Sequence, residues 1–231
     1  MAGLRIGRHL RSKLHLIWMM IGLVLVIFLP FFLGVGLYIK SELLLRDQSV
    51  FDLILSGDWR PLSGKFGFFP FVISSIWITI LSLLIAGPIC LLTAIHLTQY
   101  AKGWVLRIMH PVIDILAGIP SVIFGVWGIL VIVPFISKYM APLFGVSTSG
   151  YTIMAGAIVL AVMIIPFVLN ILIDVFKTIP DELKEASLSL GASQWQTIKL
   201  VLLRKAFPGI VSALGLGISR AFGETIAVLM V

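Results

Sequence analysis

Long stretches of this chain contain no Asp, Glu, Lys or Arg. Four of them, Leu14 to Ile39, Phe66 to Ala101, Ile115 to Ser137 and Tyr139 to Ile173, exceed the roughly 20 residues a helix needs to cross a bilayer. Each predicts one membrane span. A fifth apolar stretch, Ala206 to Val231, is interrupted by Arg220 and Glu224 and is read as a span as well. The second and fourth runs are longer than one helix. Their surplus carries turn formers, Gly67 and Pro70 in one and Pro142, Gly145 and Gly150 in the other, so those ends read as interfacial loops. The expected organisation is a basic segment 1–13, a first span 14–39, an outer segment 40–69 and a core 70–231. The core holds spans at about 70–97, 112–137, 151–174 and 207–231 and a polar loop 177–205.

Composition supports the same picture. Of 231 residues, 60% are hydrophobic and 12% charged, with mean hydropathy +1.14, whereas an ordinary soluble domain carries about 25% charged residues. So few polar groups do not cover a water-facing surface, which excludes a soluble globular protein. The single cysteine, Cys90, excludes a disulfide framework and a Cys-rich metal site. A net charge of +7 would suggest nucleic acid in a soluble protein, but here the bases mark the sides of a membrane. Arg5, Arg8, Arg11, Lys13, Lys102, Arg107, Lys177, Lys184, Lys199, Arg204 and Lys205 fall on the N-terminal side, against Lys40, Arg46, Arg60, Lys65 and Lys138 opposite. The positive-inside rule then places the N-terminus in the cytoplasm. The first apolar run is too long for a secretory signal core of roughly 7 to 15 residues and reads as an uncleaved span. The abrupt apolar end at Val231, with no polar anchor after it, reads as a chain cut before a further span.

The loop KTIPDELKEASLSLGASQWQTIKLVLLRK, residues 177–205, predicts two short helices and a turn. Thr178 is read as a cap with Pro180 in the first turn, Asp181 and Glu182 suit the positive end of the helix dipole, and Leu183, Ala186 and Leu190 share a face. Gly191 is expected to end that helix and Ser193 to cap the next, whose Trp195, Ile198 and Leu202 fall on one side. Periodicity alone leaves a docking knob and an interfacial helix resting on headgroups both open. In the fifth span, on an unbroken helix, Ala213, Gly217, Arg220, Glu224 and Ala227 share one side and Val211, Ile218, Phe222 and Ile226 the other. Small residues and charges inside the hydrocarbon belong against protein or a watery path, so the small, charged side should line the core. Arg220 and Glu224, four apart, are expected to pair.

Three blocks carry a resemblance. Glu185, Ala186, Ser187, Gly191, Val201 and Leu203 match the loop signature of ABC importer permeases, with Ser187 in place of Ala, Val201 in place of Ile and Arg204 in place of Pro. AGIPSVIFGVWGILVIVPF, from Ala117, and GLGISRAFGETIAVLMV, from Gly215, are similar to two blocks of phosphate importer permeases of the PstC type. The resemblance runs from about Pro70 to Val231. It implies an all-α polytopic membrane bundle of the MetI-like permease type, with five spans here and a sixth beyond. It also implies a bacterial or archaeal inner-membrane location, phosphate as cargo, a second permease subunit, two cytoplasmic ATPase subunits and an extracytoplasmic phosphate-binding protein. In that family the loop is a coupling helix docked on the ATPase, which assigns ATPase coupling to Glu185, Ala186, Gly191 and Leu203.

With that family in view, Arg220, a fork of donors suited to oxyanions, is a candidate partner for passing phosphate, with Glu224 offsetting its charge. A packing salt bridge is the plainer alternative. Asp114 and Ser121 flank the break Gly118, Ile119, Pro120, which is read as lying inside the third span, and are weaker substrate-path candidates. There Asp114 is also explained as an interfacial acid beside a kink, and Ser121 as a hydroxyl bonded to its own backbone. His9, His15, His96 and His110 have no metal-ligand spacing. No Walker A pattern occurs, and no nucleophile has a base partner in sequence. The chain is therefore expected to be non-catalytic, to hold no cofactor or metal, to contact membrane lipid and to bind no nucleic acid. A permease for sulfate or molybdate would use the same Arg chemistry. An ion-driven secondary transporter would show inverted repeats with paired broken helices, of which none is evident.

Overall fold

The computed structural model describes the backbone of residues 2–47 and 49–231 and the side chains of all but residues 2–12, 43, 44, 46 and 47 among them. Arg5, Arg8, Arg11, Arg46 and His9 of the charge and ligand readings lie outside the described side chains. The chain forms two compact units, Met1–Pro70 and Phe71–Val231. Among the described residues there is no strand beyond one bridge between Arg60 and Lys65, so the protein is all-α. Among the described residues five helices are long and apolar enough to cross a membrane.

In the first unit, α1 (Ala2–Asp47) is a single helix that extends beyond the apolar stretch 14–39 in both directions. Its side chains from Leu14 to Ile39 are exposed, as suits a helix apolar all round that meets lipid. The outer segment holds α2 (Val50–Leu55) and a tight turn. Arg60 and Lys65 exchange backbone hydrogen bonds of 2.9 and 3.1 Å across Gly64, which adopts φ +70°. Trp59 packs against Phe66 and Phe68 with ring centroids 5.9 and 5.7 Å apart, giving this segment a small aromatic cluster of its own.

The second unit is built around α6 (Ile153–Lys177). This helix is apolar on all sides over its first four turns, with Asn170, Asp174 and Lys177 toward its end, and Val159, Leu160, Ile164, Leu172 and Ile173 are fully buried, the pattern of a central helix. Thr152 caps it, its hydroxyl accepting from the Ala155 amide at 3.2 Å. Packed around the same core are residues of α3 (Phe69–Tyr100), α4 (Gly103–Ala117), α5 (Ser121–Leu143), α8 (Gln194–Gly223) and the single turn α9 (Ile226–Leu229).

Two boundaries depart from the sequence expectation. The break at Gly118 to Pro120 does not kink a span over 112–137. It separates α4 from α5, with Gly118 at the helix end and Pro120 at ψ 138° opening the next helix; proline forces its predecessor out of the helical region. The last span does not run over 207–231. It starts at Gln194, passes through a π-helical turn at Thr197–Leu202 and ends at Gly223. With Arg204 where the related loop signature has Pro, nothing removes a backbone donor at that point, and the helix continues through it. The second of the two loop helices expected from periodicity is thus the first turn of this long helix.

Candidate functional site

Small residues set how closely α8 approaches α6. Gly209, Ala213, Gly217 and Ala221 recur every four residues on α8. Ala213, Gly217 and Ala221 are buried, and a β-carbon on Gly217 would lie 2.7 Å from Val168 Cγ2 and one on Gly209 2.5 Å from Val175 Cγ1. This is a small-xxx-small seam, which lets two membrane helices pack backbone to backbone. The bulky side, with Val211, Ile218 and Phe222, faces outward, and Ile226, expected on the same side, is exposed from the separate turn α9. Ile210, Leu214, Ile218 and Phe222 also wall an apolar groove of about 820 Å³ against α3.

At the edge of the seam Arg220 is half-buried. Its guanidinium carbon lies 5.0 Å from the centroid of the Phe167 ring on α6, within cation–π range. Its Nε is buried without a hydrogen-bond partner. The expected pairing with Glu224 does not form: no ion pair joins the two among the described residues. The cause is the end of the helix. Gly223 is its last residue and Glu224 is extended at φ −87°, ψ 108°, so the four-residue spacing that stacks side chains on a continuous helix no longer applies. Glu224 instead lines a small cavity of about 50 Å³ with Ser75, Thr79 and Ala221. Ala227, expected on the same side of one helix, is buried from the separate turn α9.

Ser75, Thr79 and Phe167 were not singled out by sequence. The two hydroxyls donate to the carbonyls of Phe71 and Ser75, both at 2.8 Å, leaving their lone pairs as acceptors toward the cavity. A polar stripe of Ser75, Thr79 and Ser82 in an otherwise apolar run was the available signal. Phe167 had none. Asp114 does not line this cavity: it lies on α4, accepts from Asn170 Nδ2 at 2.8 Å and sits 3.5 Å from His110 Nδ1. Ser121 opens α5, half-buried, immediately after the break. Among the described residues no three His, Cys, Asp or Glu side chains converge as metal ligands.

The second element of the site is the loop between α6 and α8. Thr178 caps the end of α6 rather than the start of the loop helix: its amide donates to Asp174 O and its hydroxyl to Val175 O at 2.7 Å. Pro180 is the N-cap of α7 (Asp181–Ser189), because Pro180 holds Ile179 out of helix and the new helix starts after the ring. Gly191 ends it at φ +84°, a conformation side chains resist. Ser193 and Gln196 then form a reciprocal capping box at the start of α8.

No residue of α7 is buried. Glu185 and Ala186 are exposed, as are Leu183, Leu188 and Leu190, the last at 88%. Trp195 is 54% exposed while Ile198 and Leu202 are buried: the π-helical turn adds a residue per turn and carries Trp195 off the side it was expected to share. Leu203 packs partly buried at the base. The loop is tied to the bundle by two polar contacts, Ser187 Oγ with buried Thr197 Oγ1 at 3.0 Å and Gln194 Nε2 to Gln99 O at 3.0 Å. The Ser that replaces Ala in the loop signature therefore has a partner. What results is a short helix, held firmly at its base, that presents apolar side chains and a carboxylate to the outside.

Comparison with known proteins agrees with this arrangement. Residues 86–231 match the family described as the binding-protein-dependent transport system inner membrane component. The chain is 42% identical over 203 residues to the "Probable ABC transporter permease protein YqgH" of Bacillus subtilis, covering 87% of this chain and 63% of that protein. It is 33% identical over 206 residues to the "Phosphate transport system permease protein PstC" of Xylella fastidiosa, covering 83% and 63%. Against the "Probable phosphate transport system permease protein PstC" of Methanocaldococcus jannaschii it is 32% identical over 226 residues, covering 90% and 70%. The chain thus spans 63% of the length of the first two of these relatives. Five membrane-length helices, a seam of small residues and an exposed loop helix, together with these matches, show that the chain belongs to the binding-protein-dependent transport system inner membrane components, the multi-pass membrane permease subunits of ABC transporters.

Proposed function

We propose that this chain is a non-catalytic permease subunit of an ATP-driven importer that carries inorganic phosphate into the cytoplasm. It works with a second permease subunit, two cytoplasmic ATPase subunits and an extracytoplasmic phosphate-binding protein, and its N-terminus and the α7 loop lie in the cytoplasm. The relatives named as phosphate permeases support the cargo. The observation that carries the site is Arg220, half-buried in a membrane-spanning helix with its Nε unsatisfied and no carboxylate paired to it among the described residues. A buried donor without a partner is costly, and a helix movement that opens the guanidinium to the path lets an oxyanion supply the missing acceptor.

The π-face of Phe167 spreads the cost of the charge when the path is empty without competing for its hydrogen bonds. Glu224, Ser75 and Thr79 line a separate small cavity that Arg220 does not line, and carry acceptors for a protonated oxygen of hydrogen phosphate as it moves on from Arg220. ATP-driven closure of the ATPases moves α7 through its exposed Glu185 face. The capped junction at Gly191 and Ser193 passes that motion to α8, which carries Arg220. The test is uptake of labelled phosphate by vesicles holding the full-length chain and its partners, with and without ATP and with excess sulfate or molybdate. ATP-dependent uptake that resists both competitors is expected. Uptake without ATP overturns the coupling role of α7, and block by sulfate or molybdate reassigns the cargo to another oxyanion.

A further inference from the structure

A second polar region lies between α4 and the end of α6. On α4, Val105, Met109 and Ile113 turn toward the core, Trp104, Ile108 and Ile115 are exposed, and Arg107, His110 and Asp114 form a third stripe. On α6, Phe167, Asn170, Asp174 and Lys177 recur at three- and four-residue spacing, one line along the helix. That line starts half-buried under Arg220, passes through the Asn170 to Asp114 hydrogen bond and ends exposed at Lys177. There Lys177 shares a cleft of about 440 Å³ with Arg107, His110, Asp114 and Gly103.

We propose that this cleft binds a phosphate group. Among the described residues Arg107 makes no ion pair, and Lys177 is held only by an exposed 3.9 Å contact to Asp174, of a kind that water screens to little value. Both cations are therefore available to an anion. Asp114 does not repel it outright. Its oxygens face Asn170 and His110, and a carboxylate keeps further acceptor sites for a donor carried by the ligand. Hydrogen phosphate has such a donor in its P–OH group, and a phosphatidylethanolamine headgroup has one in its ammonium; sulfate has neither. The same chemistry thus serves free phosphate leaving Arg220 along the α6 line or a lipid headgroup seated at the end of the bundle. The free-phosphate source rests on the import reading above, and the headgroup source does not.

The experiment uses the full-length permease with its partner subunits in phosphatidylcholine nanodiscs, with and without added phosphatidylethanolamine. Wild type is compared with Arg107→Gln/Lys177→Gln, and with Arg107→Gln alone so that a double variant that fails to assemble does not decide the result. If free phosphate is the occupant, labelled inorganic phosphate binds in phosphatidylcholine and the double variant weakens the cleft component about tenfold, while binding at Arg220 persists in both. If a headgroup is the occupant, native mass spectrometry finds phosphatidylethanolamine retained by wild type and lost from the variants. Equal phosphate binding and equal lipid retention in wild type and variants overturns the site. Failure of uptake would strike the import reading and leave this binding result intact.

Discussion

Gly217→Ala probes the contact that positions Arg220. The new methyl would lie 2.7 Å from Val168 Cγ2, where carbon atoms prefer about 3.5 to 4.0 Å, an overlap of about 1 Å. Val168 is 1% exposed and β-branched, so its rotamer is fixed and it has no space to turn into. Either the side chain is strained or α8 lifts from α6, at a cost of about 1 to 3 kcal/mol. Alanine also raises helix propensity by up to about 1 kcal/mol over glycine, which offsets part of that loss. A double-mutant cycle removes the ambiguity, because the propensity gain is the same in both backgrounds. Val168→Ala deletes both γ-carbons and leaves a void that the methyl introduced by Gly217→Ala partly refills. The assay is reversible unfolding in mixed micelles. Gly217→Ala should destabilise the wild type and be neutral or stabilising in Val168→Ala, with a coupling of about 1 to 3 kcal/mol. An equal effect in both backgrounds would refute the close-packed seam. Uptake should follow stability in the four proteins, since Arg220 lies less than one turn beyond Gly217.

Other expectations follow from the site. Glu185→Lys, on an exposed position of α7, should leave assembly intact and uncouple ATP hydrolysis from uptake; wild-type uptake would remove Glu185 from the docking face. Arg220→Gln should lower uptake without loss of assembly, and normal uptake would leave Arg220 as a packing charge. Phe167→Leu removes the π-face while keeping apolar volume, and should destabilise by about 0.5 to 2 kcal/mol in wild type but by less in Arg220→Gln, read by the same unfolding assay. Ser187→Ala strands the buried Thr197 hydroxyl and should cost about 1 to 3 kcal/mol, whereas Ser187→Ala/Thr197→Val should recover most of it; no recovery would mean the hydroxyl pair is incidental.

The number of membrane-length helices, the all-α class and the exposed loop helix with its Gly191 stop were legible along the chain because each depends on local facts: run length, turn chemistry and the unique tolerance of glycine for positive φ. So was the division of α8 into a small side and a bulky side, since period and residue size suffice for it. The partner of Arg220 was not legible. Spacing of four made Glu224 the natural candidate, but the helix ends at Gly223, and the group that meets the guanidinium comes from α6, more than fifty residues earlier. The placement of Asp114 likewise turned on where α4 stops, and that of Trp195 on a π-helical turn that shifts register by one residue. Apolarity, size and turn chemistry belong to single residues and their neighbours, so the sequence by itself determined that five stretches are apolar enough for membrane-length helices and which face of α8 is small. Which side chains meet depends on helix ends and on packing between distant segments, and only the tertiary structure decided that Arg220 faces an aromatic ring and that Arg107, Asp114 and Lys177 share one cleft.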